Sequence, residues 1–167
     1  MLNRKALLII LLLVSYPTAA NPNYPQNLTL VGQSVLSFFW WDIYEAKLFT
    51  PSGRYAQDPR PLLLQITYKR EIKSLDLVEE TDNQWERFNL SQEQRSQWLA
   101  ELAQMWPDVS ENDSIAFYTD ESGHCHFYFN QAFIGSMTDP EFCGHFNNIW
   151  LAENGPYPRL TRELTGG

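Results

Sequence analysis

The stretch from His126 to Leu151, HFYFNQAFIGSMTDPEFCGHFNNIWL, constrains the fold of this 167-residue chain more than any other. Alternating apolar residues up to Phe129 and from Ala132 to Ser136 read as two short strands joined at Asn130-Gln131. Asp139-Pro140 then reads as a helix N-cap followed by proline at the first helical position, where its missing N–H is no loss. Phe142, Phe146, Ile149 and Trp150 recur on one face of the helix that follows, so this helix must lie on a sheet to bury its aromatic side. Asn154-Gly155-Pro156 predicts its end through a left-handed cap.

Upstream, Leu28 to Val31 reads as a strand, Gly32-Gln33 as a turn, and Val35 to Phe49 as a longer strand rich in β-branched and aromatic residues. Tyr44, Ala46 and Leu48 share one face of that strand, and Ile43, Glu45 and Lys47 the other. Leu62 to Tyr68 begins apolar on both faces, as a central strand does. Ser74 reads as the cap of a helix carrying Leu75, Val78, Trp85 and Phe88. Ser91 and Gln94 have capping-box spacing ahead of a helix with Trp98, Leu99 and Leu102, and Pro107 stops it. Ser114 to Thr119 and His124 to Phe129 add strands, and Pro158 starts a last short helix. Strands, two helices, strands, helix: this order predicts an α+β domain with an antiparallel sheet and helices on one side.

The first twenty residues are expected to be an address rather than part of the fold, the alternative being an uncleaved N-terminal anchor. Arg4 and Lys5 precede an apolar run from Ala6 to Val14, and Thr18-Ala19-Ala20 supplies small residues for cleavage. The run is too short to span a bilayer, which takes about 20 apolar residues. Export, most simply to a bacterial periplasm, follows, with no stable membrane insertion after cleavage. Residues 21–27 then read as a flexible lead-in and residues 28–167 as a single domain. Cleavage removes two cations from a chain whose formal charge is already −8. Such an acidic surface argues against nucleic acid as a partner. The chain has no phosphate-binding glycine loop, nucleophile elbow or zincin motif, and no cofactor is implied.

Several of these pieces resemble the chalcone isomerase-like proteins. They are Tyr44-x-x-x-Leu48, Leu64-x-x-x-Tyr68-x-Arg70, Trp106-Pro107-Asp108-Val109, Phe127-Tyr128-Phe129-Asn130 with Ile134-Gly135, Asp139-Pro140-x-Phe142 and Ile149-Trp150-Leu151. The resemblance implies an open-faced β-sandwich, a curved antiparallel sheet packed against helices. In the plant enzymes of that family the fold closes a chalcone to a flavanone, and related fatty-acid-binding proteins hold an acyl chain in the same cleft. Both rely on an arginine near the first long strand. Here no Arg or Lys occurs between Asn21 and Ala46, and Phe39 or Trp40 stands where the enzymes carry a hydroxyl. The resemblance therefore implies the fold without the catalytic residues. It suggests a non-catalytic exported protein holding a small apolar, amphipathic or fatty-acid-like ligand. The alternatives are an isomerase or lyase for another small substrate, or a structural or partner-binding periplasmic protein.

The residues singled out for ligand binding are Phe39, Trp40, Tyr44 and Arg70. Tyr44 and Arg70 could meet an anionic or phenolic group. Their simpler reading is one core hydrogen bond and one ion pair at a strand end. Trp40 and Trp41 are adjacent and so face opposite ways in a strand. Helices over the sheet would bury them, and one left exposed would be a platform for a ligand or partner. His124, Cys125, His126, Cys143 and His145 have the donor types of a zinc site. Cys125 opposes its neighbouring histidines across the sheet, so no metal is assigned. A Cys125–Cys143 disulfide between strand and helix fits better, and two buried thiols remain the alternative.

Overall fold

In a computed structural model the described residues are 22–56 and 60–167. The leader assigned to residues 1–20 lies outside them. Six strands form one antiparallel meander, each paired with its neighbour in sequence. They are β1 (Thr29–Phe38), β2 (Trp41–Thr50), β3 (Leu62–Tyr68), β4 (Ser114–Thr119), β5 (Cys125–Phe129) and β6 (Ala132–Met137). Helices α1 (Ser74–Glu86) and α2 (Gln92–Met105) leave the sheet between β3 and β4, and α3 (Pro140–Leu151) and α4 (Pro158–Thr165) follow β6.

All four helices lie against one face, because that face carries nearly all the apolar volume. Ala46, Leu48, Leu62, Leu64, Ile66, Phe117 and Phe127 alternate onto it and are buried, in register as Ala46 opposite Ile66, Leu48 opposite Leu64 and Leu64 opposite Phe117. Phe142 and Phe146 of α3 stack 5.4 Å apart over Phe117 and Phe127, and Trp85 and Trp98 close the cluster from α1 and α2. The indoles are satisfied as well as buried: Trp85 Nε1 donates to the His145 carbonyl and Trp98 Nε1 to Asp139 Oδ2. Asp139 thereby serves twice, since its Oδ1 accepts the Glu141 N–H as the cap of α3. Ser91 accepts the Gln94 N–H at the start of α2. Cys125 and Cys143 are joined in a disulfide with Cα atoms 5.9 Å apart, inside the usual span for such a bridge.

The opposite face is more lightly covered. Leu63, Ala116 and Tyr128 pack there against Tyr24 and Leu28. The Tyr24 hydroxyl donates to Gln65 and the Tyr128 hydroxyl to the Asn23 carbonyl. Asn23 and Tyr24 of the lead-in thus meet this face of the sheet.

Three local expectations are corrected. Gly32 is not in a turn: it sits inside β1, opposite Leu48. It is glycine because main-chain carbonyls of α4 come so close that a Cβ would fall on Glu163 O and 2.6 Å from Leu164 O. The chain reverses instead at Phe39-Trp40, with Phe38 opposite Trp41 and Phe39 at φ 55°. Ser74 is the first residue of α1 rather than its cap. Its N–H is received from a distance by Asp108 Oδ1 at 2.9 Å, while its hydroxyl donates to the Trp106 carbonyl. At the end of α3 the chain turns off in extended conformation at Ala152, and no left-handed cap forms at Gly155.

Candidate functional site

The helices do not fill the whole concave face. A cleft of about 540 Å³ remains between β1–β4 on one side and α1, α3 and the approach to α4 on the other, a size typical of small-molecule sites, which span roughly 300–1,000 Å³. Its floor is Tyr44, Leu64, Ile66, Tyr68, Ile115 and Phe117. Phe146, Ile149 and Trp150 of α3 form a wall, and Leu77, Thr81 and Gln84 of α1 face them. The mouth lies where the lining becomes exposed, between Ser37 and Phe38 at the end of β1 and Asp76, Glu80 and Arg87 of the α1 side.

Few polar groups interrupt this lining, and each has a defined state. The Tyr44 hydroxyl accepts from Trp150 Nε1 at 3.0 Å, tying the floor to α3. Burial pushes the Tyr44 phenol well above its ordinary value, against the opposing effect of that hydrogen bond, and burial does the same at Tyr68. Both are neutral donors at physiological pH, so neither can act as a phenolate base. Gln84 is buried between Glu80 and Tyr157, and among the described residues its Oε1 has no partner. Trp106 Nε1, at the inner end, is also buried without one. Arg87 is the cation among the lining residues; among the described residues its guanidinium makes no ion pair or hydrogen bond, and its charge is felt by the Tyr157 phenol. The arrangement can hold an apolar body, offer neutral hydrogen bonds inside and meet a negative charge at the rim. Among the described lining residues it brings together no nucleophile with an adjacent base.

The residues named from sequence separate in space. Tyr44 lines the cleft. Arg70 is exposed just beyond it, in a shallow depression shared with Ile43, Glu71, Ile72, Lys73 and Asp76. Phe39 and Trp40 stand at the hairpin tip, 77% and 83% exposed. Trp41 is exposed as well, because the end of the β1–β2 ladder extends past the helices meant to cover it. The residues missed were Tyr68, Gln84, Arg87, Trp106 and Trp150. A signal existed on α1: Leu77, Thr81 and Gln84 recur on one helical face, yet that face turns polar where a filled core would demand apolar residues.

Of the histidines, His145 lies on α3 with its ring 5.8 Å from that of Trp98, and His126 belongs to the outer sheet face. His126 Nδ1 lies 2.7 Å from Ser136 Oγ and its Nε2 3.4 Å from Asp120 Oδ2. Asp120 Oδ1 meanwhile accepts the Ser122 and His124 main-chain N–H groups. This network pins β5, β6 and the β4–β5 turn together. Among the described residues no group of three His, Cys, Asp or Glu side chains is placed to hold a metal ion.

Sheet, helices and cleft together define the chalcone isomerase-like fold, an open-faced β-sandwich. A fatty-acid binding protein of Arabidopsis thaliana has the same fold, with a TM-score of 0.65 over 86% of this chain and 89% of its own at 10% identity. In sequence the chain is 27% identical over 136 residues to an uncharacterised protein of Haemophilus influenzae, covering 81% of this chain and 67% of that one. No family model matches the chain.

Proposed function

We propose that this is an exported, non-catalytic carrier or sensor of a small apolar ligand with an anionic head, a fatty acid being the simplest. The observation that carries the reading is the cleft itself: an apolar space of about 540 Å³ whose rim presents the exposed guanidinium of Arg87. The acyl chain lies on Leu64, Ile66, Ile115 and Phe117, and the carboxylate meets Arg87. The solved neighbour of the same fold is a fatty-acid binding protein, which supports the ligand class. Export is supported by the leader-like residues 1–20 and by a disulfide, a bond that persists in oxidising compartments. Among the described residues no helix is long and apolar enough to cross a membrane.

Native mass spectrometry of protein purified from its own host, followed by organic extraction, tests the reading. The expected result is a stoichiometric lipid released on extraction. A protein that emerges empty and takes up no added fatty acid refutes it. Arg87→Ala is expected to weaken a fatty acid by a factor of about 2–5, in keeping with an exposed ion pair, and to leave the matching fatty alcohol unchanged.

A further inference from the structure

The hairpin tip is built against the local rules of turn formation. Two-residue turns favour Asn, Asp or Gly, above all where φ is positive. Here the two positions hold Phe39, at φ 55°, and Trp40. The flanking pair is aromatic too, so Phe38, Phe39, Trp40 and Trp41 stand 66%, 77%, 83% and 63% exposed at one point of the molecule. Phe38 and Phe39 meet edge to face at 4.6 Å and Phe39 leans on Trp40 at 5.7 Å, so three rings pack into one apolar knob, with Trp41 beside it opposite Phe38 in the ladder. Such patches mark interaction sites.

We infer that this knob docks the protein on the interface of a lipid bilayer. With these exposures the four side chains present roughly 430–720 Å², below the roughly 800 Å² that each partner contributes to a stable protein interface. A lipid interface needs no matching shape; Trp rings settle there, and Phe joins Trp on the apolar face of elements that lie in it. Charge selects the kind of lipid. Asp42 is the charged side chain adjoining the four rings in sequence, and no Lys or Arg occurs between Asn21 and Ala46. Arg159 behind the tip is held by the Val35 carbonyl and Glu163. Docking is therefore by apolar insertion into a zwitterionic surface, without electrostatic capture.

The position of the knob gives the docking a purpose. Phe38 belongs both to the tip and to the rim of the cleft, next to Leu36 and Ser37. A molecule seated by its tip brings the cleft mouth to the bilayer, where an acyl chain can pass between lipid and protein with little contact with water. That second step rests on the proposed function; the docking does not.

The test is co-sedimentation of the protein with phosphatidylcholine vesicles, read together with the tryptophan emission maximum. Wild type is expected to sediment with the vesicles and shift its emission to the blue, equally at low and high salt and no better with phosphatidylglycerol added. The variant Phe39→Asn/Trp40→Ser is expected to lose about tenfold or more in partitioning. It should keep the wild-type melting temperature and the wild-type affinity for a soluble fluorescent fatty acid. Failure of wild type to bind, binding unchanged in the variant, or binding that needs anionic lipid and vanishes in salt overturns the docking. So does a tip-dependent dimer in sedimentation velocity with no vesicle binding. Vesicle binding by a protein that takes no fatty acid would retain the docking and reject the proposed ligand.

Discussion

The same chemical change, glycine to alanine, is expected to have opposite effects at two positions of this fold. At Gly32 an added Cβ falls on the carbonyl oxygen of Glu163 and 2.6 Å from that of Leu164. Both obstacles are main chain, so the conflict is relieved only if α4 lifts from β1. Leu160 and Leu164, buried beneath α4, would move with it. Overpacking of this kind costs about 1–3 kcal/mol, which for a domain of this size lowers the melting temperature by about 3–10 °C. At Gly144, inside α3, an added Cβ meets nothing within 4 Å. There alanine only reduces the backbone entropy lost on forming the helix, a gain of about 0.5–1 kcal/mol. Urea denaturation of both variants with an unchanged m-value checks the pair. A Gly32→Ala protein as stable as wild type, or a Gly144→Ala protein less stable, would show that the packing of α4 or the solvent side of α3 has been misread.

Other consequences are as direct. Replacing both Cys125 and Cys143 by alanine removes a cross-link spanning 18 positions and is expected to cost about 3 kcal/mol in the chain-entropy account, measured against the oxidised wild type in urea. Tyr44→Phe leaves Trp150 Nε1 without its acceptor and should cost about 1–2 kcal/mol, seen as a lower urea midpoint. The main-chain N–H of Ser74, then Lys73, hold the Asp108 carboxyl below its ordinary range, and the Asn130 amide, then the Ser110 N–H, do so for Asp113. A lowered carboxyl contributes stability above the unfolded value of about 3.9 and loses it as pH falls through the folded value. Urea midpoints should therefore hold from pH 7 to about 5 and decline below about 4, less steeply in Asp113→Asn.

What the sequence made legible was whatever local chemistry decides. The α+β layout, β3 as an inner strand, the Asp139-Pro140 start of α3 and the Ser91 cap of α2 all follow from periodicity and capping within a few residues, and the structure has them. The misreadings share a cause: the deciding partner is remote in the chain. Gly32 looked like a turn because α4, which needs its missing side chain, lies about 130 residues away. Ser74 looked like a cap because the real acceptor, Asp108, belongs to the loop after α2. The β1–β2 reversal was invisible for another reason, since Phe39-Trp40 lacks the residues that normally announce a turn. The cleft was only partly readable: Tyr44 could be named from its strand, whereas Arg87 reaches the rim through the way α1 crosses the sheet.

The central claim is that the space between sheet and helices is a ligand site, and filling it is the most direct test. Ile66 and Ile115 face each other across β3 and β4 on the cleft floor, so Ile115→Trp places an indole in the space. Titration with a fluorescent fatty acid should give saturable one-to-one binding by wild type. The filled variant should bind at least about tenfold more weakly at an unchanged melting temperature. Absence of saturable binding to wild type, or binding untouched in a folded Ile115→Trp protein, would contradict the account.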